Sequence, residues 1–565
     1  MSVEISRRQM MILGAASMGL CSLPVQGKNT KNQMPDVPEI TLEKYCKKLK
    51  RLMETQVTDP ESHWFGGIPD TYGIHYCTTA AELIRDGAAV YCLPASKYHQ
   101  SSELLQRIEW ASGFLKHVQH EDGFIDLPST NFNSPPDTAF VIHSVASAVA
   151  IAKMYRNEHI AGFVRDFLLK AGEGLTAGGI HTPNHRWAIC AALAQIYDLY
   201  PDKRYIDRID QWLAEGIDID AEGQYTERST AGYNAVVNNA LTVTAIKLKR
   251  TELLEPVRKN LNAMAFLIHP NGEVVTEISR RQDQNTRGTM ANYWFPLRYL
   301  AVHDQNGLYT SMLAYLEPDH IELHRLMEYP ETGGILPAPE PIPDDYERDY
   351  ILSGITRARR GKTSITIPHG LNSRLVSFRR GEAVINAVRM ASAFFGKGQF
   401  VPVQFRKQDG QYYFRQHLQG HYMQPITDPS FLPVRPEDWT RRTGRRKASQ
   451  RCSLIYEARM RETPHGFEIT VSAKGTDNVP LVIEINLRED GQLTGVMSAG
   501  DADICFLPEN HFAEFRMGEN VIRFGPGRCE HRWTALRGAE PKLSGPSVYL
   551  TGYTPFEHTI TFEVA

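Results

Sequence analysis

Thr182-Pro183-Asn184-His185-Arg186-Trp187-Ala188-Ile189-Cys190-Ala191-Ala192-Leu193-Ala194-Gln195-Ile196-Tyr197 decides the fold. A polar loop opens the stretch, and Trp187–Tyr197 reads as a helix that is apolar or small nearly all round. A surface helix carries one apolar stripe, whereas a helix apolar on every side lies between two layers. Helices of the same kind recur at Ala139–Tyr155 and Tyr233–Lys247. Between them run amphipathic helices, at Arg107–Gln119, Val164–Gly174 and Tyr205–Glu215, with charge on one face.

The turns repeat with the helices. Gly66-Gly67, Asp122-Gly123, Gly178-Gly179, Glu222-Gly223 and Asn271-Gly272 each follow an amphipathic stretch, with second glycines spaced by 56, 56, 44 and 49 residues. Glycine suits a helix C-terminus because it accepts the left-handed conformation there. A period of roughly 45–55 residues with two helices per unit signals an array of helical hairpins. Residues 40–317 are therefore expected to form an α/α toroid, closed or nearly closed, with an open solenoid as the alternative.

In such an array the loops leading into the inner helices share one end of the ring. Their polar residues can converge although they are distant in sequence. They include His63 and Trp64; Asp126, Asn131, Asn133 and Asp137; and His181, Asn184, His185 and Arg186. Further round come Tyr225, Glu227, Arg228 and Tyr233, then Glu277, Arg280, Arg281 and Gln282. A ring end of this composition suits a sugar polymer bearing carboxylates.

Leu336-Pro337-Ala338-Pro339-Glu340-Pro341-Ile342-Pro343 holds four prolines in eight residues and reads as an extended connector, within a linker at 318–349. Beyond it the pattern changes to short β-prone runs bounded by Gly, Asp or Asn. They include Thr363–Ile367, Ser373–Phe378, Ala383–Val388, Gln411–Phe414, Leu454–Met460, Gly466–Ser472, Leu481–Leu487, Asn520–Phe524 and Thr559–Val564. Many short strands without long helices predict an antiparallel β-sandwich at 350–565. The fold class is thus multidomain, α then β. One loop, with Arg441, Arg442, Arg445, Arg446, Lys447 and Arg451, is either a solvated surface or a rim that attracts an anionic chain.

The chain has 565 residues, 42% apolar and 22% charged, which excludes a wholly disordered or collagen-like protein. A net charge of −3 argues against a dedicated nucleic-acid binder. Ser6-Arg7-Arg8-Gln9-Met10-Met11 precedes a short apolar run, Ile12–Leu23, the layout of a twin-arginine export signal over residues 1–27. That run is too short and interrupted to span a membrane, so no membrane insertion is expected after signal removal. Leu20 before Cys21 is too large for a lipoprotein site. The eight cysteines include no Cys-x-x-Cys and do not make a disulfide scaffold. The expected location is periplasmic or secreted. Oligomeric state is not readable.

The architecture resembles that of the polysaccharide lyases, especially the heparinase II/III-like and alginate-lyase-like groups. Two stretches carry the resemblance. Thr182-Pro183-Asn184-His185-Arg186-Trp187 looks like the Asn/His segment opening an inner helix there. Glu222-Gly223-Gln224-Tyr225-Thr226-Glu227-Arg228-Ser229, followed by Tyr233, resembles the segment before the catalytic tyrosine. His185 and Tyr233 are 48 residues apart, about one hairpin, so adjacent repeats deliver both to one place. The resemblance implies a catalytic set of Asn184, His185, Arg186 and Tyr233. It also implies a histidine from the β half, with His417 and His421 as candidates and His369 behind them.

The chemistry fits these residue types. A lyase removes the C5 proton of a uronic acid and expels the group at O4. The site must neutralise the carboxylate and stabilise the enolate that develops. Asn184 can donate through its amide and Arg186 through its guanidinium. His185 can act as the base near neutral pH. Tyr233 can protonate the leaving oxygen or serve as the base itself. Trp64, Asp137, Glu227, Arg280, Arg281, His417 and His421 are the candidate substrate-binding residues.

Each assignment has a structural counterpart. Asn184 equally caps a helix, His185 equally sits satisfied in a core, Tyr233 equally packs on an inner helix, and Arg186 equally pairs with a carboxylate such as Glu227. Asp137, after Pro135-Pro136, reads more as an N-cap than as a catalytic acid. His417 and His421, four apart, suit a metal only on a helix, and their neighbours read as strand. No cofactor is expected, with a divalent metal in the β half left open. Two rival functions stand beside the lyase. A glucuronidase-type hydrolase would draw its paired carboxylates from Asp126, Asp137, Glu227 and Glu277. A non-catalytic glycan-binding protein needs only the aromatics and basic groups.

Overall fold

The computed structural model describes residues 35–370, 372–501 and 503–564. The export segment lies outside them. Twelve helices lead the chain: α1 (Glu39–Thr55), α2 (Cys77–Cys92), α3 (Ser102–Val118), α4 (Pro135–Met154), α5 (Glu158–Leu175), α6 (Asn184–Leu199), α7 (Lys203–Ala214), α8 (Tyr233–Leu248), α9 (Leu254–Met264), α10 (Trp294–His303), α11 (Gly307–Leu313) and α12 (Leu323–Glu328). Even-numbered α2 to α10 form the inner ring, each packed on the next, with the odd-numbered helices outside. The layering follows composition. In α6 every residue from Asn184 to Ile196 is buried, whereas α7 buries only Tyr205 and Ile209. Helix α4 is the one described helix long and apolar enough to cross a membrane, and most of it lies inside the ring wall.

The turns repeat more strictly than the glycine spacing suggests. At Asp70, His120, Asp220 and His269 the backbone N–H donates to the carbonyl four residues on, and a left-handed glycine follows three residues later. Those glycines are Gly73, Gly123, Gly223 and Gly272, at intervals of 50, 100 and 49. Gly178-Gly179 is not such a turn. Neither glycine has positive φ, and α6 starts directly from a bend. The period is therefore close to 50, with one such turn absent before α6.

The segment expected as a linker does more than connect. Its proline-rich part lacks regular structure, but Leu323–Glu328 is α12 and strand pairing already begins at Asp345. Helix α12 packs against α1, α2 and α4 and completes the ring. Tyr45 Oη accepts from the Leu323 N–H (3.1 Å), and Glu328 pairs with Lys247 of α8 (3.1 Å).

Among the described residues the β half forms two facing sheets. The nine-stranded sheet runs, in spatial order, Asp345–Tyr350, Ile355–Arg360, Thr363–Pro368, Ser377–Arg380, Ala383–Ser392, Pro480–Leu487, Ser547–Tyr553, Ile504–Phe506, Met497–Ser498. The eight-stranded sheet runs Gln404–Gln408, Gln411–Met423, Ala448–Thr463, Gly466–Gly475, Phe556–Val564, Asn520–Gly525, Ala513–Met517, Gln492–Thr494. Pairing is antiparallel except between Ile504–Phe506 and Ser547–Tyr553. Inward residues such as Ile365, Phe378, Ile385, Tyr456 and Phe562 form one core.

The nine-stranded sheet turns its polar face to the toroid. Ser364 bonds His269 (3.0 Å), and Tyr346 donates to the Phe266 carbonyl (2.6 Å). Glu273 is the hub of the junction. Its carboxylate pairs with Arg379 and Arg488 (2.5 Å) of the β half and Arg287 (2.7 Å) of the toroid. A second contact lies beside the ring-end loops, where Glu222 accepts from the N–H groups of Leu352 (2.7 Å) and Ser353 (3.0 Å).

Candidate active site at the ring end

Tyr233 is the first residue of α8. The Ser229 hydroxyl accepts its backbone N–H (2.9 Å), fixing where the helix starts and where the ring points. Its phenolic oxygen receives Gln282 Nε2 (2.9 Å) and Arg281 Nη2 (3.4 Å), and the Arg281 guanidinium lies 4.7 Å over its ring. Arg281 also faces Glu227 (3.4 Å). The loop bearing Arg281 and Gln282 is braced by Asp283, which accepts from the Ala231 N–H (3.3 Å) and the Ser279 hydroxyl.

Asn184 opens α6 from the neighbouring repeat. It is not the cap, because Pro183 holds that position. Its amide donates to Glu227 Oε2 (2.6 Å) and Thr182 Oγ1 (3.0 Å). Both amide hydrogens are therefore engaged, and Asn184 orients Glu227 rather than reaching out to a substrate carboxylate. Burial pushes the Glu227 carboxyl above its ordinary range, against the pull of Asn184 and Arg281.

His185 lies edge-on to His181, with ring centres 4.5 Å apart, and 6.1 Å from Phe140. Burial first, then the His181 and Arg281 charges, lower its pKa to about 4, although Asp137 opposes them. It is neutral at neutral pH, and a group that weakly basic is a poor acceptor for a C5 proton. Its burial argues against His185 as the base.

Arg186 belongs to the scaffold. Its guanidinium pairs with Asp218 (2.8 Å) and Glu215 (3.0 Å) and stacks on Trp187. The carboxylate partner expected for it, Glu227, is taken by Asn184 and Arg281. Asp137 is not an N-cap either. Ser134 caps α4, and Asp137 accepts from the Ser134 hydroxyl (2.5 Å) and from Asn131 (2.9 Å). Trp64 stacks flat on His75 (4.8 Å) at the first repeat and stays 41% exposed. Arg280 is exposed, its side chain reaching only the Thr226 carbonyl (3.5 Å).

The β-domain histidines do not complete the site. His417 and His421 lie on the strand Gln411–Met423 of the sheet away from the toroid, exposed to solvent. They share the strand's outer face because residues four apart in a strand do so. His369 bonds Thr356 (2.8 Å), stacks on Phe405, and feels the charge of Glu222 at the domain junction. Among the described residues no group of three or more His, Cys, Asp or Glu side chains is placed to hold a metal.

The carboxylates considered for hydrolysis are separately engaged. Asp126 accepts from His120 (2.8 Å) and the Asn133 N–H (2.6 Å). Glu277 lies near Arg374 and Arg379 at the domain junction. Asn184 Oδ1 and His185 Nδ1 are buried at the ring end without a hydrogen-bond partner in the protein, while Glu227 Oε1 and Arg281 Nε face each other at 3.4 Å. Native structures leave few buried polar atoms unpaired, and the first two are open to a bond from a bound group. Sequence reasoning had Arg281 only as a binding residue. Its place against Tyr233 depends on a loop whose packing leaves no sequence signature.

No protein-family model and no curated protein matches this sequence. Solved structures do. The chondroitin AC lyase of Streptomyces coelicolor A3, solved in complex with chondroitin sulphate, matches with a TM-score of 0.55 and 13% identity. That match covers 93% of this chain and 79% of the other. A Paenibacillus xanthan lyase matches with a TM-score of 0.55 and 9% identity, over 93% of this chain and 56% of its own longer chain. At such identities the likeness is one of fold. The chain has the helical-toroid and β-sandwich fold of the polysaccharide lyases.

Proposed function

We propose that the protein is a polysaccharide lyase that cleaves an anionic, uronate-containing glycan by β-elimination. The observation that carries this reading is the Tyr233 hydroxyl. Two donors, Gln282 and Arg281, end on its oxygen at the ring end. Its own proton is thereby left to pass to a leaving oxygen, and negative charge on the phenolic oxygen is stabilised as the proton departs.

In this reading the Tyr233 phenol gives its proton to O4 as the C4–O4 bond breaks and takes the C5 hydrogen in exchange as the C4=C5 bond forms, so it ends protonated as it began. Arg281 and the exposed Arg280 supply positive charge for the uronate carboxylate. Neutral His185 presents ring nitrogens to the substrate rather than a cation. Glu227, fixed by Asn184, holds Arg281 in place. The fold supports the reading, since its solved relatives include a chondroitin and a xanthan lyase.

One observation favours hydrolysis instead: the raised pKa of Glu227 is the property a general acid needs. The test is direct. The purified protein is incubated with a panel of uronate polysaccharides while ultraviolet absorbance follows the conjugated C4=C5 double bond. A rise that Tyr233→Phe abolishes supports elimination. New reducing ends without that absorbance, lost in Glu227→Gln, reject it in favour of hydrolysis.

A further inference from the structure

Beneath the ring end the toroid is hollow. Two inner helices each carry a partly exposed stripe near their starts: Tyr233, Val236 and Asn239 on α8, and Asp137, Phe140, His143 and Ser144 on α4. At three-to-four-residue spacing these share one face of each helix, and here that face is the lumen. A cavity of about 360 Å³ lies between them. At 1.5 Å per residue its walls lie roughly 5–14 Å below the starts of α4 and α8. Phe140 lines it and also touches His185 above, so the cavity begins where the candidate active site ends.

The cavity has a floor. His324 and Arg325 of α12 cross the lumen, both more than nine-tenths buried, and both line the cavity. His324 Nδ1 and Arg325 Nε and Nη1 have no hydrogen-bond partner in the protein. Arg325 faces Glu322 and Glu328 only at 3.9 and 3.6 Å. The floor is fixed by the Lys247–Glu328 pair and by Tyr45 on Leu323. A polymer entering from the ring end therefore meets a closed bottom. The walls offer an aromatic face at Phe140 and an apolar one at Val236, set among polar and charged groups that include Arg85, His143, Asn239 and Glu322. An aromatic face among many hydrogen-bonding groups suits a sugar, and this volume is at the low end for a small-ligand site.

We propose that the toroid lumen is a pocket for the terminal sugar of the glycan, so that the enzyme works from chain ends. This rests on the lyase reading of the ring end, and it adds where the chain stops. Sugar hydroxyls satisfy His324 and Arg325, the ring packs on Phe140, and the bond beyond it is presented to Tyr233.

Two readouts separate this proposal from the lyase reading. On any polysaccharide that yields the double bond, products are sized at early conversion. Unsaturated mono- or disaccharides are expected from the start, with slow loss of viscosity. Val236→Trp fills the cavity one turn below Tyr233. It should lower kcat/KM by about tenfold or more, because binding energy distant from the reacting bond is lost. A ladder of long products, unchanged by Val236→Trp, overturns the pocket while leaving the lyase standing. The second readout needs no turnover. Saturation-transfer NMR with glucuronate- and galacturonate-containing disaccharides is run on the full chain, on Val236→Trp and on the milder Asn239→Ala. Signal in the wild type that falls in both variants supports the pocket, even where no polymer is cleaved and the lyase reading fails. Equal signal in all three, or none in the wild type, overturns it.

Discussion

Replacing Tyr233 by Phe removes one oxygen and leaves the ring in place. The structure separates its effect on stability from its effect on turnover. The lost oxygen accepts one good hydrogen bond, from Gln282 at 2.9 Å, and a marginal one from Arg281 at 3.4 Å. Gln282 is exposed and recovers water as its partner, while Arg281 keeps Glu227. The net cost to folding is therefore that of about one hydrogen bond, about 1 kcal/mol or less. In a chain of this size that moves Tm by about 2 °C or less. A residue that transfers the proton in the transition state contributes about 10²–10⁴ in rate. That is about 3–5 kcal/mol of barrier. The variant should thus melt almost with the wild type and lose nearly all double-bond formation. Substrate binding, followed by NMR, should persist. The assay is the initial rate of ultraviolet absorbance alongside a thermal melt. Activity within about threefold of wild type, with the fold intact, would falsify the role given to Tyr233.

Three further outcomes are expected. His185 is buried with a pKa of about 4 against an ordinary 6.5. Its neutral form is favoured in the fold, so this stability is present above about pH 6.5 and is lost as pH falls through 4, about 3 kcal/mol in all; His185→Gln should flatten urea-melt stability over that window, and an unchanged slope refutes the assignment. Arg186→Met leaves Asp218 in a mostly buried site without its cation and should cost about 3 kcal/mol or more in chemical denaturation. Its kcat should stay near that of wild type, and a selective loss of kcat would return Arg186 to the catalytic set. The twin-arginine reading predicts that Arg7→Lys with Arg8→Lys holds the protein in the cytoplasm on cell fractionation; export of the double variant rejects it.

Period and burial made the toroid readable. A helix such as α6, with no polar face, has few places to go, and its neighbours fix the ring. Alternation and glycine-bounded runs made the sandwich readable for the same reason. What escaped was anything set by packing between distant segments. Leu323–Glu328 is six residues beside a proline-rich stretch, too short for periodicity, yet it forms the ring's floor. Asn184 and Arg186 look equally suited to a carboxylate. Only the structure shows that one faces Glu227 and the other faces Asp218. The resemblance implies a histidine from the β half, but a strand's alternation sets His417 and His421 on the outer face.

Glu273 makes the two domains unequal partners at their two contacts. It is 3% exposed and holds three guanidiniums drawn from both domains. Separating the domains there gives up two of its three guanidinium partners, Arg379 and Arg488. Glu222 binds only backbone N–H groups and a hydroxyl of a partly exposed loop, contacts that water replaces at about 1 kcal/mol each. The junction is therefore bolted with buried charge at Glu273 and merely latched at Glu222, and the latch is on the flank that carries Glu227 and Tyr233.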